Sequence, residues 1–226
     1  KHLKRFEQSW KRLYEFAFPN LSWEVIISEV LKKNSLTTET AAIKIMTAWA
    51  ESDCPPYHPH LIITARPYTH RLILLSRKGL NLGTYPHPRQ SPLADYKTLN
   101  YLYYYKAGKW AQANGFDEAI VLNPDGSISE TNTGNVAIIC GKKLIEPVSP
   151  HVLPGVMADV LRKAVKKNGF KVIQKPLLKE MLISSDHAFV TNALMQIVPI
   201  LSLDGLLLKF SEEMNNAIQK WINSYE

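Results

Sequence analysis

Cysteine is scarce in this 226-residue chain, with Cys54 and Cys140 as the whole supply. Two thiols cannot make a disulfide framework, and no paired Cys-x-x-Cys spacing exists for a structural zinc site. A reducing, cytoplasmic setting is the simpler expectation. Long apolar runs are lacking as well: the best candidate, 198–205, is interrupted by Pro199, Ser202 and Asp204, so no membrane span is expected. The first residues, Lys1-His2-Leu3-Lys4-Arg5-Phe6, hold no signal-peptide core and read as the interior of a protein. There is no internal repeat or low-complexity tract. No P-loop, Gly-x-Gly-x-x-Gly fingerprint, Gly-x-Ser-x-Gly elbow or Ser-His-Asp arrangement is present, which removes the chemistries those motifs serve.

Acidic residues are also in deficit, 20 against 27 Lys and Arg, for a formal charge of +7. A nucleic-acid footprint would need those cations gathered on one face. They are instead spread along the chain, with only short pairs such as Lys32-Lys33, Lys142-Lys143 and Lys166-Lys167, so no nucleic-acid partner is expected and a small anionic ligand fits the excess better. What the chain does have is apolar mass. At 46% hydrophobic and 21% charged residues it can bury a sizeable core, as one large domain or two small ones.

Patterning divides it into two parts. Residues 2–16 place Leu3, Phe6, Trp10, Leu13 and Tyr14 at helical spacing. A second helix follows Ser22 and stops at Asn34, and strands are expected over 42–49 and 59–65. This is a small α+β domain over 1–83. Residues 84–96 carry three prolines and no period, the mark of a linker or functional loop. A larger, sheet-rich α/β domain fills 97–226. It begins with a long helix over 97–114 ended by Gly115. A hairpin over 118–130 turns at Asn123-Pro124-Asp125-Gly126, and a second over 135–145 turns at Gly141-Lys142. A helix opens at Pro154-Gly155, strands are expected at 171–174, 188–191 and 196–201, and a helix closes the chain over 211–224.

Four places could carry chemistry. Lys97 stands between the irregular loop and the helix, where desolvation would free its amine for Schiff-base formation. Taken alone it reads as an ordinary surface lysine in a first helical turn, since exposed lysines are the norm. Glu130 ends a hairpin strand and precedes Thr131-Asn132-Thr133-Gly134-Asn135, small hydrogen-bonding residues able to wrap a ligand, or simply a polar turn. Gly155-Val156-Met157 opens a helix whose first N–H groups are unsatisfied and suit a phosphate, with Gly155 allowing close approach. Thr191-Asn192-Ala193 offers polar groups after a buried strand. Cys54, His58 and His60 supply metal-ligand atom types, but prolines dominate that segment and no carboxylate lies at ligand spacing, so no metal is expected.

In this order the signals resemble the class IV aminotransferase family, the fold-type-IV pyridoxal-phosphate enzymes, along the whole chain. The resemblance implies a fold like that of D-amino-acid aminotransferase, pyridoxal 5'-phosphate as cofactor, and a homodimer. It makes Lys97 the Schiff-base lysine and Glu130 the partner of the pyridine nitrogen. Arg5, in a His-x-x-Arg element at 2–5, would bind the cofactor phosphate together with the backbone N–H groups of Val156 and Met157, and Asn192 and Ala193 would complete the cup. Residue types suit these roles: an imine needs an amine, a protonated pyridine a carboxylate, a phosphate an arginine and a helix N-terminus.

Within the family, Met157 where aminotransferases usually carry threonine, the run Asn192-Ala193-Leu194-Met195 and the loop Gln90-Ser91-Pro92-Leu93 look more like 4-amino-4-deoxychorismate lyase. Ala158 departs from the arginine both subgroups commonly carry. The Arg-Gly segment with which some aminotransferases trap a substrate carboxylate is not evident in residues 46–51. The first expectation is therefore a lyase forming 4-aminobenzoate and pyruvate in folate synthesis. An aminotransferase for branched-chain or D-amino acids is the alternative, and a non-catalytic or inactive truncated relative the third reading. Since family chains normally carry a strand-rich segment ahead of the His-x-x-Arg element, the small domain looks incomplete at its start. An upstream fusion to, or cooperation with, the chorismate-aminating component is a further expectation.

Overall fold

Two segments of β-branched and alternating residues, Ala41–Trp49 (β1) and Pro59–Pro67 (β2), pair as an antiparallel ladder running from Ala41 opposite Pro67 to Trp49 opposite Pro59. The computed structural model describes residues 1–49 and 59–224. By its contacts the chain forms two units, one of residues 6–74 and one of residues 1–5 with 75–226. In the smaller unit, α1 (His2–Leu13) from Phe6 onward and α2 (Trp23–Lys33) accompany the ladder, and α3 (Arg71–Leu75) follows it up to Leu74. Burial along β2 alternates residue by residue, the period-2 signature of a strand with one covered face, and α2 packs on that strand. Phe6, Trp10, Phe18 and Trp23 meet mostly edge to face, with centroids 5.6–6.3 Å apart. The Trp10 indole donates to the Phe16 carbonyl at 2.9 Å, so the buried ring leaves no polar atom unpaired.

The larger unit is built on a mixed sheet, nine-stranded among the described residues. Its elements are β3 (Leu80–Thr84), α4 (Leu102–Ala113), β4 (Glu118–Leu122), β5 (Ile128–Thr131), β6 (Asn135–Cys140), β7 (Lys143–Pro147), α5 (Val156–Lys167), β8 (Lys171–Lys175), α6 (Lys179–Ile183), β9 (His187–Asn192), β10 (Gln196–Leu203), β11 (Leu206–Leu207) and α7 (Glu212–Asn223). The strand order is β5-β4-β3-β10-β9-β6-β7-β8, with β11 folded back on β10. β10 joins the halves: residues 196–199 pair antiparallel with β9, then residues 200–203 pair parallel with β3. Pro199, which has no N–H to donate, sits at this handover, the tolerant place for proline inside a sheet. Helices α5 and α7 cover the β6–β9 half through Met157, Leu161, Val165, Phe189 and Ile218. On the other half Ala107 and Ala111 of α4, both fully buried, pack with Ala119 and Tyr85. The architecture is the mixed α+β arrangement expected from the sequence.

Three details depart from expectation. The division falls at residues 74/75 rather than 83/84, because Leu80–Thr84, expected as the end of the small domain and the first residue of the linker, is a central strand between β10 and β4. The proline-rich stretch 84–96 accordingly lies inside the larger unit. The helix expected from residue 97 begins at Leu102. Over 96–101 the amides make short-range bonds instead, Thr98 N–H to the Tyr96 carbonyl, Asn100 N–H to the Thr98 hydroxyl and Tyr101 N–H to the Leu99 carbonyl, at 2.8–3.3 Å. A threonine hydroxyl competing for main-chain donors is a known alternative to helix.

Candidate active site

Every residue singled out from sequence for cofactor binding lines one cleft of the larger unit, about 750 Å³ in volume counting its open mouth. Arg5 lies beside Val156 and Met157 there, and Asn192 and Ala193 line the same wall; Glu130 and Lys97 line the cleft as well.

At the phosphate-like end, α5 starts at Val156 behind Gly155, whose backbone is extended (φ −72°, ψ 137°), and no side chain caps the helix. Val156 and Met157 line the cleft, and no side chain caps the first-turn N–H groups. The Arg5 guanidinium donates to the Pro154 carbonyl at 3.0 Å, which brings a cation to the same helix start. The structure adds a reason for Gly155 besides the close approach expected. A Cβ there would lie 1.9 Å from Asn135 Oδ1, so the missing side chain makes room for Asn135, which donates to the Leu153 carbonyl at 2.7 Å. Asn192 holds the adjoining turn: its Oδ1 accepts from the Leu194 and Met195 N–H groups at 3.0 and 2.7 Å, and its amide donates to Thr133. Thr191, 2% exposed and also on the cleft wall, has a buried hydroxyl with no partner among the described residues.

Glu130 stands on β5, 4% exposed. Its Oε1 accepts from the Tyr104 hydroxyl, its Oε2 from the Leu153 N–H at 3.4 Å, and Arg89 Nη1 is 3.9 Å from Oε1. Burial pushes the Glu130 carboxyl above its ordinary value of 4.5, while Tyr104, the Leu153 N–H, Arg89 and Lys97 pull the other way. Burial and the Glu130 charge push the Tyr104 phenol far above its usual 10, so it stays a donor. Arg89 lies over the Tyr104 ring at 4.8 Å and donates to the His151 carbonyl at 3.2 Å. The loop after Glu130 is fixed from below by the buried Glu118, which accepts from the Thr131 and Thr133 hydroxyls at 2.7 and 2.6 Å.

Lys97 is exposed, in the irregular stretch ahead of α4. Its Nζ donates to the Tyr101 hydroxyl at 2.8 Å and sits 5.4 Å from that ring's centroid. Sequence reasoning did not single out Arg89, Tyr101 or Tyr104. The density of tyrosine at 101 and 103–105, directly after the lysine, was the available signal. Of the metal alternative, Cys54 and His58 lie outside the described residues; among the described residues no three His, Cys, Asp or Glu side chains gather as metal ligands. No helix among them is long and apolar enough to cross a membrane.

One cleft thus combines a cation and free amides at one helix start, a buried and tyrosine-bound carboxylate, an unpartnered hydroxyl on its wall and an accessible amine. Comparison with known proteins identifies the family. The branched-chain-amino-acid aminotransferase of Salmonella typhimurium (strain LT2) is 26% identical over 219 residues, 91% of this chain and 70% of that protein. A Methanocaldococcus jannaschii protein provisionally named as a branched-chain-amino-acid aminotransferase is 31% identical over 136 residues, 55% of this chain. That match spans just under half of the relative, 47% of its length. Among solved structures, a Legionella pneumophila protein provisionally named 4-amino-4-deoxychorismate lyase superposes with a TM-score of 0.86 over 100% of this chain and 84% of its own, at 23% identity, a likeness of fold. The profile of the amino-transferase class IV family, whose members use pyridoxal phosphate, matches residues 1–203, and the chain belongs to that family.

Proposed function

We propose that the cleft binds pyridoxal 5'-phosphate and that the protein acts as a lyase on 4-amino-4-deoxychorismate, giving 4-aminobenzoate and pyruvate. The observation that carries the cofactor assignment is the convergence of Arg5, the uncapped start of α5, Glu130 and Lys97 on one cleft. The group fits these residues. A phosphate dianion suits the Arg5 guanidinium and the free Val156 and Met157 amides, and the Thr191 hydroxyl is a buried polar atom still lacking a partner. A protonated ring nitrogen suits Glu130.

When bound, pyridoxal phosphate supplies an aldehyde that condenses with amines and a ring that takes up electrons when a bond at the amine-bearing carbon breaks. The protein's part is positioning and proton movement. Lys97 Nζ would be the amine that holds the cofactor and, when free, the base that takes the proton from the substrate carbon bearing the amino group. The same Nζ returns a proton to the departing three-carbon fragment. The Tyr101 hydroxyl, 2.8 Å from Nζ, orients the amine between these tasks. Glu130 keeps negative charge opposite the ring nitrogen, and Arg5 with the α5 amides holds the phosphate.

Met157 at the helix start, in place of a hydroxyl-bearing side chain, and the Asn192-Ala193-Leu194-Met195 turn support elimination over transamination. Transamination of branched-chain substrates is the second reading, favoured by the names of the sequence relatives. In either case the expected assembly is a homodimer acting on a small anionic substrate. The test is reduction with borohydride after incubation with pyridoxal phosphate, followed by peptide mapping. The adduct is expected on Lys97 and absent from Lys97→Ala; no adduct, or one elsewhere, overturns the assignment. Pyruvate released from aminodeoxychorismate without a keto acid supports the lyase, and strict dependence on an acceptor overturns it.

A further inference from the structure

We propose that Tyr104 is a positioning residue for the cofactor ring, holding the Glu130 carboxylate oriented and charged where the ring nitrogen meets it. The proposal rests on the pyridoxal-phosphate reading above and concerns a residue that the cofactor assignment did not need. A carboxylate as buried as Glu130, 4% exposed, must find donors or lose its charge. Among the described residues its donors are few. The Leu153 N–H reaches Oε2 at 3.4 Å, a long bond, and Arg89 Nη1 at 3.9 Å is beyond hydrogen-bond distance and also donates to the His151 carbonyl. The Tyr104 hydroxyl is the one side-chain group among the described residues hydrogen-bonded to Glu130. Lys97 adds only its more distant charge.

Tyr104 is also held rigidly enough to act in this way. It sits in the first turn of α4, whose next residues on that side, Ala107, Gly108 and Ala111, are small. Ala107 and Ala111 are fully buried, and a Cβ on Gly108 would lie 2.9 Å from the Asn132 amide. The helix therefore lies close against the strand pair and the loop following Glu130. From the other face the Arg89 guanidinium covers the phenol ring at 4.8 Å. Helix packing and a cation thus fix the ring, and its hydroxyl fixes the carboxylate.

The experiment compares two cofactor forms on Tyr104→Phe, which keeps the ring under Arg89 and removes the hydroxyl alone. Dissociation constants are measured by titrating the apoprotein with pyridoxal 5'-phosphate and with its 1-deaza analogue, in which carbon replaces the ring nitrogen. Loss of one hydrogen bond to a charged group predicts pyridoxal phosphate binding about tenfold weaker, with the deaza analogue unchanged. In a Glu130→Gln background the same substitution should have little further effect on either form. Equal weakening of both forms would show that Tyr104 merely shapes the cleft, and no weakening of either would show that Glu130 does not depend on it; both overturn the proposal. If the wild-type protein binds neither form, the cofactor reading itself fails, and this proposal fails with it.

Discussion

Replacing Gly155 by alanine tests whether the start of α5 is held by Asn135. The backbone at 155 is in the ordinary extended region, so alanine is conformationally allowed, and by chain entropy alone it should stabilise by about 0.4–1 kcal/mol. Packing opposes this. The new Cβ would stand 1.9 Å from Asn135 Oδ1 and 3.0 Å from its Cγ, so Asn135 must swing away and give up its bond to the Leu153 carbonyl. That lost bond costs about 1 kcal/mol and the forced repacking about 1–3 kcal/mol, leaving a net destabilisation of about 1–3 kcal/mol. Leu153 also donates to Glu130, so the displacement should weaken pyridoxal phosphate binding too. Urea unfolding of four proteins resolves the cause: wild type, Gly155→Ala, Asn135→Ala and the double variant. With Asn135 shortened the obstruction is gone, and Gly155→Ala should then be neutral or slightly stabilising. Equal destabilisation in both backgrounds would refute the role given to Asn135.

Three further outcomes are expected. Arg5→Ala should weaken binding of pyridoxal 5'-phosphate by about tenfold to a hundredfold, as loss of a charge-assisted contact predicts, and leave dephosphorylated pyridoxal unaffected in the same titration. Glu118→Ala removes the acceptor of the Thr131 and Thr133 hydroxyls and should cost about 2 kcal/mol in urea unfolding; a change below about 0.5 kcal/mol would show the loop to be held otherwise. Glu130 should make the apoprotein's stability depend on pH. Its folded carboxyl lies above the unfolded value of 4.5, so the native state binds the proton more tightly. Its contribution is therefore full below that value and is lost as pH rises through the folded one. Stability of wild type minus Glu130→Gln should fall across that window and level off above it, whereas a difference that rises with pH would contradict the sign.

How much of this was legible in the sequence depended on how local the cause was. The β4–β5 hairpin followed from Asn123-Pro124-Asp125-Gly126, where Gly126 takes φ +81° and the Asp125 carboxylate accepts from the Ser127 hydroxyl and N–H. α5 followed from its buried Val160, Leu161 and Val165 and its Gly169 terminus. β3 did not, because Leu80-Asn81-Leu82-Gly83-Thr84 is short and owes its place to β10 and β4, neither adjacent in sequence. The helix start at 102 rather than 97 goes with short-range bonds over 96–101, one of them to the Thr98 hydroxyl, which leucine spacing at 99 and 102 could not reveal. The candidate binding residues were visible as types in order. Arg89 and Tyr104 were not, because their reach to Glu130 exists only once α4 has packed on the sheet.

The shifted helix start bears on chemistry. A lysine built into a helical turn would have its stem set by the helix; Lys97 instead lies on an irregular, exposed stretch, restrained by the Tyr101 hydroxyl. Its proposed tasks require that difference, since one nitrogen must anchor the cofactor, be released and then carry a proton over a short path. Glu130 has the opposite requirement. In its proposed role its charge would stay opposite one ring atom throughout, and it is placed on a buried strand with a main-chain donor on one oxygen and a packed tyrosine on the other. The proposed division of labour follows from burial: among the described residues the group that moves is solvated and held by one hydrogen bond, and the group that must not move is desolvated and held on both oxygens. Tyr101→Phe should therefore slow the steps in which Lys97 carries a proton by about tenfold while leaving pyridoxal phosphate affinity nearly unchanged, the reverse of the Tyr104→Phe pattern. Loss of cofactor affinity in Tyr101→Phe, with unchanged turnover of the fully loaded enzyme, would show that the two tyrosines do not divide the work in this way.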